Sequence, residues 1–128
     1  MKSTVLIIDD NRQALDSLAS LFLRNGWMVQ RAESGDEALA MAKLHMPSTV
    51  VSSLTMPGVS GCDVARSMRA KYRDECPVLI ALAGNAESDI AKQAIEAGFS
   101  MVLAKPVDFQ HLLSMIRLGR RGQRSGAK

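Results

Sequence analysis

Two cysteines in 128 residues, Cys62 and Cys76, cannot make a disulfide framework, and neither His45 nor His111 lies close to them in sequence. So few cysteines suit a reducing compartment, and their spacing supports neither a bridge nor a metal site. Both read as buried or half-buried thiols. No apolar run approaches the roughly 20 residues that a membrane-spanning helix needs. The start, Met1-Lys2-Ser3-Thr4, leads straight into a strand pattern without the apolar stretch of a signal peptide. The expected location is therefore the cytoplasm. Acidic residues are missing from the last twelve positions, where Arg117, Arg120, Arg121, Arg124 and Lys128 stand uncompensated. The net charge of +3 is thus +5 at this end and near −2 elsewhere. Gly119, Gly122, Ser125 and Gly126 suggest a basic flexible tail or linker over 119–128. No aromatic residue interleaves the arginines, so nucleic-acid binding by this arm is not the leading expectation.

What is present fits one ordinary globular domain over 1–118, with 47 % apolar and 23 % charged residues and enough chain to bury a core. Val5-Leu6-Ile7-Ile8 reads as a buried strand ending at Asp9-Asp10. Leu15, Leu18, Ala19 and Phe22 then recur at helical spacing, and Asn25-Gly26 stops that helix. A weaker strand over Trp27 to Ala32 precedes a helix opened by Ser34 and Glu37 at capping-box spacing. Thr49 to Ser53 is a third strand, followed by a loop and a helix over Gly61 to Tyr72. Val78 to Ala83 is a fourth strand, and Asn85 is expected to cap a helix closed by Gly98. Met101 to Ala104 is a fifth, and a last helix begins near Asp108, with Phe109, Leu112, Leu113 and Ile116 on one face.

Five strands alternating with five helices predict an α/β sheet covered on both faces, and apolar runs without alternation predict parallel pairing. The doubly wound, flavodoxin-like order 2-1-3-4-5 is among the few topologies left, with its site at the carboxyl ends of the strands. Asp9, Asp10, Ser53, Ala83 and Lys105 all fall at or just past such ends. The adjacent carboxylates of Asp9 and Asp10 repel each other unless a cation, a divalent ion or a lysine ammonium, offsets them. The same segment also serves as a helix start, where Asp10 or Asn11 caps. Lys105-Pro106 follows the fifth strand and points its cation toward the same rim.

Asp9-Asp10, then Val50-Val51-Ser52-Ser53-Leu54-Thr55-Met56-Pro57-Gly58, then Lys105-Pro106, taken at these separations, resemble the receiver domain of two-component response regulators over residues 4 to 118. The resemblance implies that Asp9, Asp10 and the backbone carbonyl of Thr55 map to a Mg²⁺ site, and that Lys105 maps to the phosphoryl-contacting lysine. Three positions depart from the family. Ser53 stands where an Asp accepts the phosphoryl group, four residues before Pro57. Ala83 replaces the Thr or Ser hydroxyl, and Val102 replaces the aromatic residue that reports the active state. A single inactivating substitution would leave the second and third intact, so their joint departure fits natural loss of phosphoacceptance.

A serine hydroxyl needs a base to act as a nucleophile, and its phosphate ester would not serve as a reversible relay. Without a carboxylate at 53, Mg²⁺ binding is expected to be weak, and Lys105 is expected to pair with Asp9 or Asp10 as a structural cation. The leading expectation is a degenerate receiver that acts in phosphorelay signalling as a protein-interaction module rather than an enzyme. Its partner would be a histidine kinase or other two-component protein, met through the region from Ala86 to Leu118, with the chain a monomer or weak dimer. The stretch from Pro77 to Asp108 loosely resembles receivers of hybrid sensor histidine kinases. The alternative is an active receiver phosphorylated at Asp9, Asp10 or Ser53.

Overall fold

Five short segments form strands in the computed structural model, which describes residues 3–85 and 87–126, with side chains to residue 120. They are β1 (Thr4–Ile8), β2 (Met28–Ala32), β3 (Thr49–Ser53), β4 (Val78–Ala83) and β5 (Met101–Ala104), joined in one parallel sheet of order β2-β1-β3-β4-β5. The helices are α1 (Arg12–Arg24), α2 (Gly35–Leu44), α3 (Gly61–Tyr72), α4 (Ser88–Ala97) and α5 (Phe109–Gly126), with a short 3₁₀ turn at Arg73–Glu75. The doubly wound order read from the apolar runs is the one observed. Strands β3 and β4 are buried along their whole length because helices cover both faces.

The two faces pack differently. On one, Leu6, Ile8, Val50, Leu79 and Ala81 meet the small residues Ala38 and Ala42 of α2, Ala65 of α3, and Ala94 and Ala97 of α4. On the other, Val5, Ile7, Val51 and Ile80 meet the larger Leu15, Leu18 and Phe22 of α1 and Leu112 and Ile116 of α5. Phe22 is fully buried and contacts Trp27 and Phe109 edge to face, with ring centroids 5.1 and 5.0 Å apart. Trp27 belongs to the end of α1 rather than to β2, because its N–H donates to the Phe22 carbonyl.

Caps explain the helix starts. Asn11 Oδ1 accepts from Ala14 N–H, so Asn11, not Asp10, caps α1. Ser34 Oγ accepts from Glu37 N–H, while the Glu37 carboxylate accepts from Glu33 N–H. A full capping box at Ser60 and Asp63 opens α3, and these hydrogen bonds hold the Asp63 carboxyl below its ordinary range. Asn85 does not cap α4. Its Oδ1 accepts from Glu87 N–H two residues on, which turns the chain before the helix begins at Ser88. Ala86 lies outside the described residues.

The last helix extends past 118. Helix α5 continues through Gly119 to Gly126, because Gly119 lets the helix lie against β4: a Cβ there would come 2.7 Å from Val78 Cγ1. Arg120 then donates to Ser3 Oγ at 3.2 Å. Within the segment expected as a tail, positions 119–126 are thus helical, and Arg120 contacts the residue before β1; residues 127 and 128 lie outside the described residues. Among the described residues no helix is long and apolar enough to cross a membrane.

Gly61 fixes how α3 meets the sheet. Its N–H donates to the Leu54 carbonyl at 3.1 Å, and a Cβ at this position would collide with the Ser53 carbonyl oxygen. That obstacle is backbone and cannot swing away. Gly61→Ala should destabilise the protein by about 2–3 kcal/mol in urea unfolding and shift the amide resonances of Ser53 and Leu54.

Candidate functional site

The register of the sheet determines which polar residues can meet. Ile8 pairs with Ser52, Ser53 with Leu82, and Ala83 with Ala104. The residues at the end of β3 and just past the ends of β1 and β5 therefore reach one rim, at the switch point of the doubly wound sheet. There the Lys105 ammonium sits 3.3 Å from Asp9 Oδ2 and donates to Ser53 Oγ at 3.2 Å.

Each member is held from its own strand. Asp9 N–H donates to the Ala32 carbonyl, and Asp9 Oδ1 accepts from Asn11 N–H at 2.9 Å. Lys105 N–H donates to the Ala83 carbonyl at 2.9 Å, and the Lys105–Pro106 peptide is cis. Ser53 Oγ donates to the Thr55 carbonyl at 3.4 Å. Asp9 and Ser53 are buried, whereas the Lys105 side chain keeps 34 % of its surface in solvent. At 3.3 Å the attraction between Lys105 and Asp9 is about 5 kcal/mol at an effective dielectric near 20, before desolvation. Burial of Asp9 takes back much of this, and the partly solvated lysine lowers the penalty on its own side.

Of the two carboxylates after β1, only Asp9 joins the pair. Asp10 is exposed on the rim. Ala83 contributes its carbonyl through the backbone and brings no hydroxyl. Val102 pairs with Ala81 and packs into the core under α2, α3 and α4, on the sheet face opposite Lys105. Asn11 was not singled out as a site residue, yet its N–H orients Asp9; its place two residues after an aspartate was the signal. The Lys105–Ser53 bond was not among the expected contacts, because the lysine was expected to pair with a carboxylate and not with a hydroxyl.

The donors expected for Mg²⁺ do not fit that ion well. One Asp9 oxygen faces an ammonium and the other a backbone N–H, the Thr55 carbonyl already accepts a hydroxyl, and the third carboxylate is absent. Among the described residues no group of three His, Cys, Asp or Glu side chains could hold a metal. Ser53 Oγ accepts a hydrogen bond from the Lys105 ammonium and donates one to the Thr55 carbonyl. Beside the pair, a cleft of about 460 Å³ opens between α1 and the turn at Pro106–Val107, lined chiefly by apolar side chains such as Leu18 and Leu21.

Replacing Lys105 tests the pair. Lys105→Met leaves a buried Asp9 carboxylate without its cation, which should cost about 1–3 kcal/mol. Thermal unfolding should fall by about 5–10 °C. An unchanged or higher Tm would show that the ion pair does not stabilise the fold.

Comparison with known proteins agrees with this geometry. A family model described as the response regulator receiver domain matches residues 5–117. The response regulator MprA of Mycobacterium sp. (strain KMS) is 32 % identical over 117 residues, which cover 91 % of this chain and 50 % of that protein. The chain thus spans about half the length of the curated relatives it matches. A CheY-like response regulator receiver domain protein from Methanospirillum hungatei JF-1 superposes with a TM-score of 0.87 at 21 % identity, covering 98 % of this chain and 99 % of that one. The receiver domain of Saccharomyces cerevisiae Ssk1, crystallised with the histidine phosphotransfer protein Ypd1, superposes with a TM-score of 0.83 at 23 % identity, covering 90 % of this chain and 86 % of that one. Sheet order, the rim where Asp9, Ser53 and Lys105 converge, and the match over nearly the whole sequence lead to one conclusion: the chain belongs to the response regulator receiver domain family.

Proposed function

We propose that this receiver domain works without aspartyl phosphorylation, as a protein-interaction module of two-component signalling in the cytoplasm. One observation carries the reading: Lys105 spans Asp9 and Ser53, so the rim is satisfied by the protein's own cation with no carboxylate at 53. Ser53 takes the acceptor's place, while Ala83 and Val102 take those of the hydroxyl and the aromatic reporter. With no base to activate Ser53 and no mixed anhydride to form, the rim neither stores nor passes on a phosphoryl group. The partner is a histidine kinase or another two-component protein. The Ssk1 receiver, crystallised with a phosphotransfer protein, supports that class of partner. The surface is the region of α4, β5 and α5 up to Leu118, and the domain acts as a monomer or weak dimer.

Acetyl phosphate with Mg²⁺, and beryllofluoride in parallel, should leave both the intact mass and the amide spectrum unchanged. Stable incorporation at Asp9, Asp10 or Ser53 would instead establish a working receiver with a displaced acceptor. The metal reading has its own test. Mg²⁺ should bind the natural chain weakly, and Ser53→Asp, which restores a third carboxylate, should tighten it at least about tenfold by titration calorimetry. Equal affinity in the two proteins would mean that position 53 does not face the ion.

A further inference from the structure

A second surface lies at the opposite pole, where a groove of about 920 Å³ crosses the start of β2. The carboxyl ends of α1 and α2 form its walls. Six large apolar side chains are exposed among the described residues, and four of them, Leu23, Met28, Leu44 and Met46, line this groove at 42 to 77 % exposure. Singly exposed apolar residues are ordinary; four around one groove mark an interaction surface.

The strand beneath is an open edge, since among the described residues β2 pairs only with β1. Met28 N–H donates to the Ser3 carbonyl and the Ala32 carbonyl accepts from Asp9 N–H, so alternate residues of β2 face β1. Val29 and Arg31 therefore aim their N–H and C=O groups outward. In the groove, Gln30 Oε1 is buried and has no hydrogen-bond donor within the described structure.

Charge narrows the occupant. Among the described residues no acidic side chain lines the groove; Arg24 and Lys43 are the sequence neighbours of its lining residues Leu23 and Leu44, and Arg120 donates to Ser3, the neighbour of lining residue Thr4. A second copy docked through the same face would oppose like charges. A helix in the groove would leave the outward groups of β2 unanswered. We propose that this groove binds an extended segment of a partner protein, apolar at alternate positions and flanked by Asp or Glu, which adds beside β2 as a sixth strand. Its backbone pairs with Val29 and Arg31, its apolar side chains enter the groove, and its acids meet Arg24 and Lys43. This surface does not depend on whether the rim at Lys105 accepts phosphate.

A random-peptide library displayed on phage and selected against the full chain tests the proposal. Enriched peptides should alternate apolar residues with flanking acids, and their synthetic forms should shift the Val29 and Arg31 amide resonances. Their affinity should fall at least about tenfold on Met28→Asp. Because Met28→Asp could act through the fold, Lys43→Glu is the second variant: it should weaken acidic peptides and be rescued when their flanking acids are exchanged for Lys. Failure to enrich such peptides overturns the proposal, as does a shift confined to other residues. Binding to phosphatidylglycerol vesicles that Met28→Asp abolishes would assign the groove to a membrane surface, and a dimer by light scattering that Met28→Asp dissolves would assign it to a second copy; either result also overturns it.

Discussion

Burial of the central strands on both faces is the constraint from which the rest follows. A parallel sheet covered by helices has no room for polar side chains along its length. They emerge where the strands stop. In this chain the stops of β1, β3 and β5 fall together because the register pairs Ile8 with Ser52 and, through β4, Ala83 with Ala104. Asp9, Ser53 and Lys105 need no long-range design of their own to meet. They meet because three apolar segments end at one level.

The meeting has an electrostatic outcome that differs from a metal centre. A hard divalent ion draws oxygen ligands around itself and usually retains several waters. An ammonium uses only three donors and is anchored by its own chain. Lys105 is fixed through the Ala83 carbonyl at one end and Asp9 and Ser53 at the other. Lys105 thus offsets Asp9, while Asp10 keeps its charge toward solvent on the rim.

Much of this was legible in the chain. The bounds of β3, β4, β5 and α3 follow from apolar runs and turn residues alone, and the residues at the strand ends follow from those bounds, while parallel pairing left the 2-1-3-4-5 order as one of a few. What escaped was settled by contacts across long sequence separations or by local rivalry for one hydrogen bond. Asn85 has cap chemistry, yet its side chain turns to Glu87 N–H before the helix starts. Gly119 resembles a linker residue, and only the proximity of Val78 shows that it is a packing residue. Four exposed apolar residues in separate segments announce no groove until the ends of α1 and α2 flank β2.

The contact between Arg120 and Ser3 brings the last helix beside the start of β1. Helix α5 starts near the Lys105 turn and returns to the pole where β1 begins, so the molecule has a top and a bottom that its ends do not share equally. Anything attached beside Ser3 stands at that pole. A chip or bead attached there would present the Asp9–Lys105 rim freely to solvent and crowd the β2 groove, which makes the point of attachment a choice between the two surfaces.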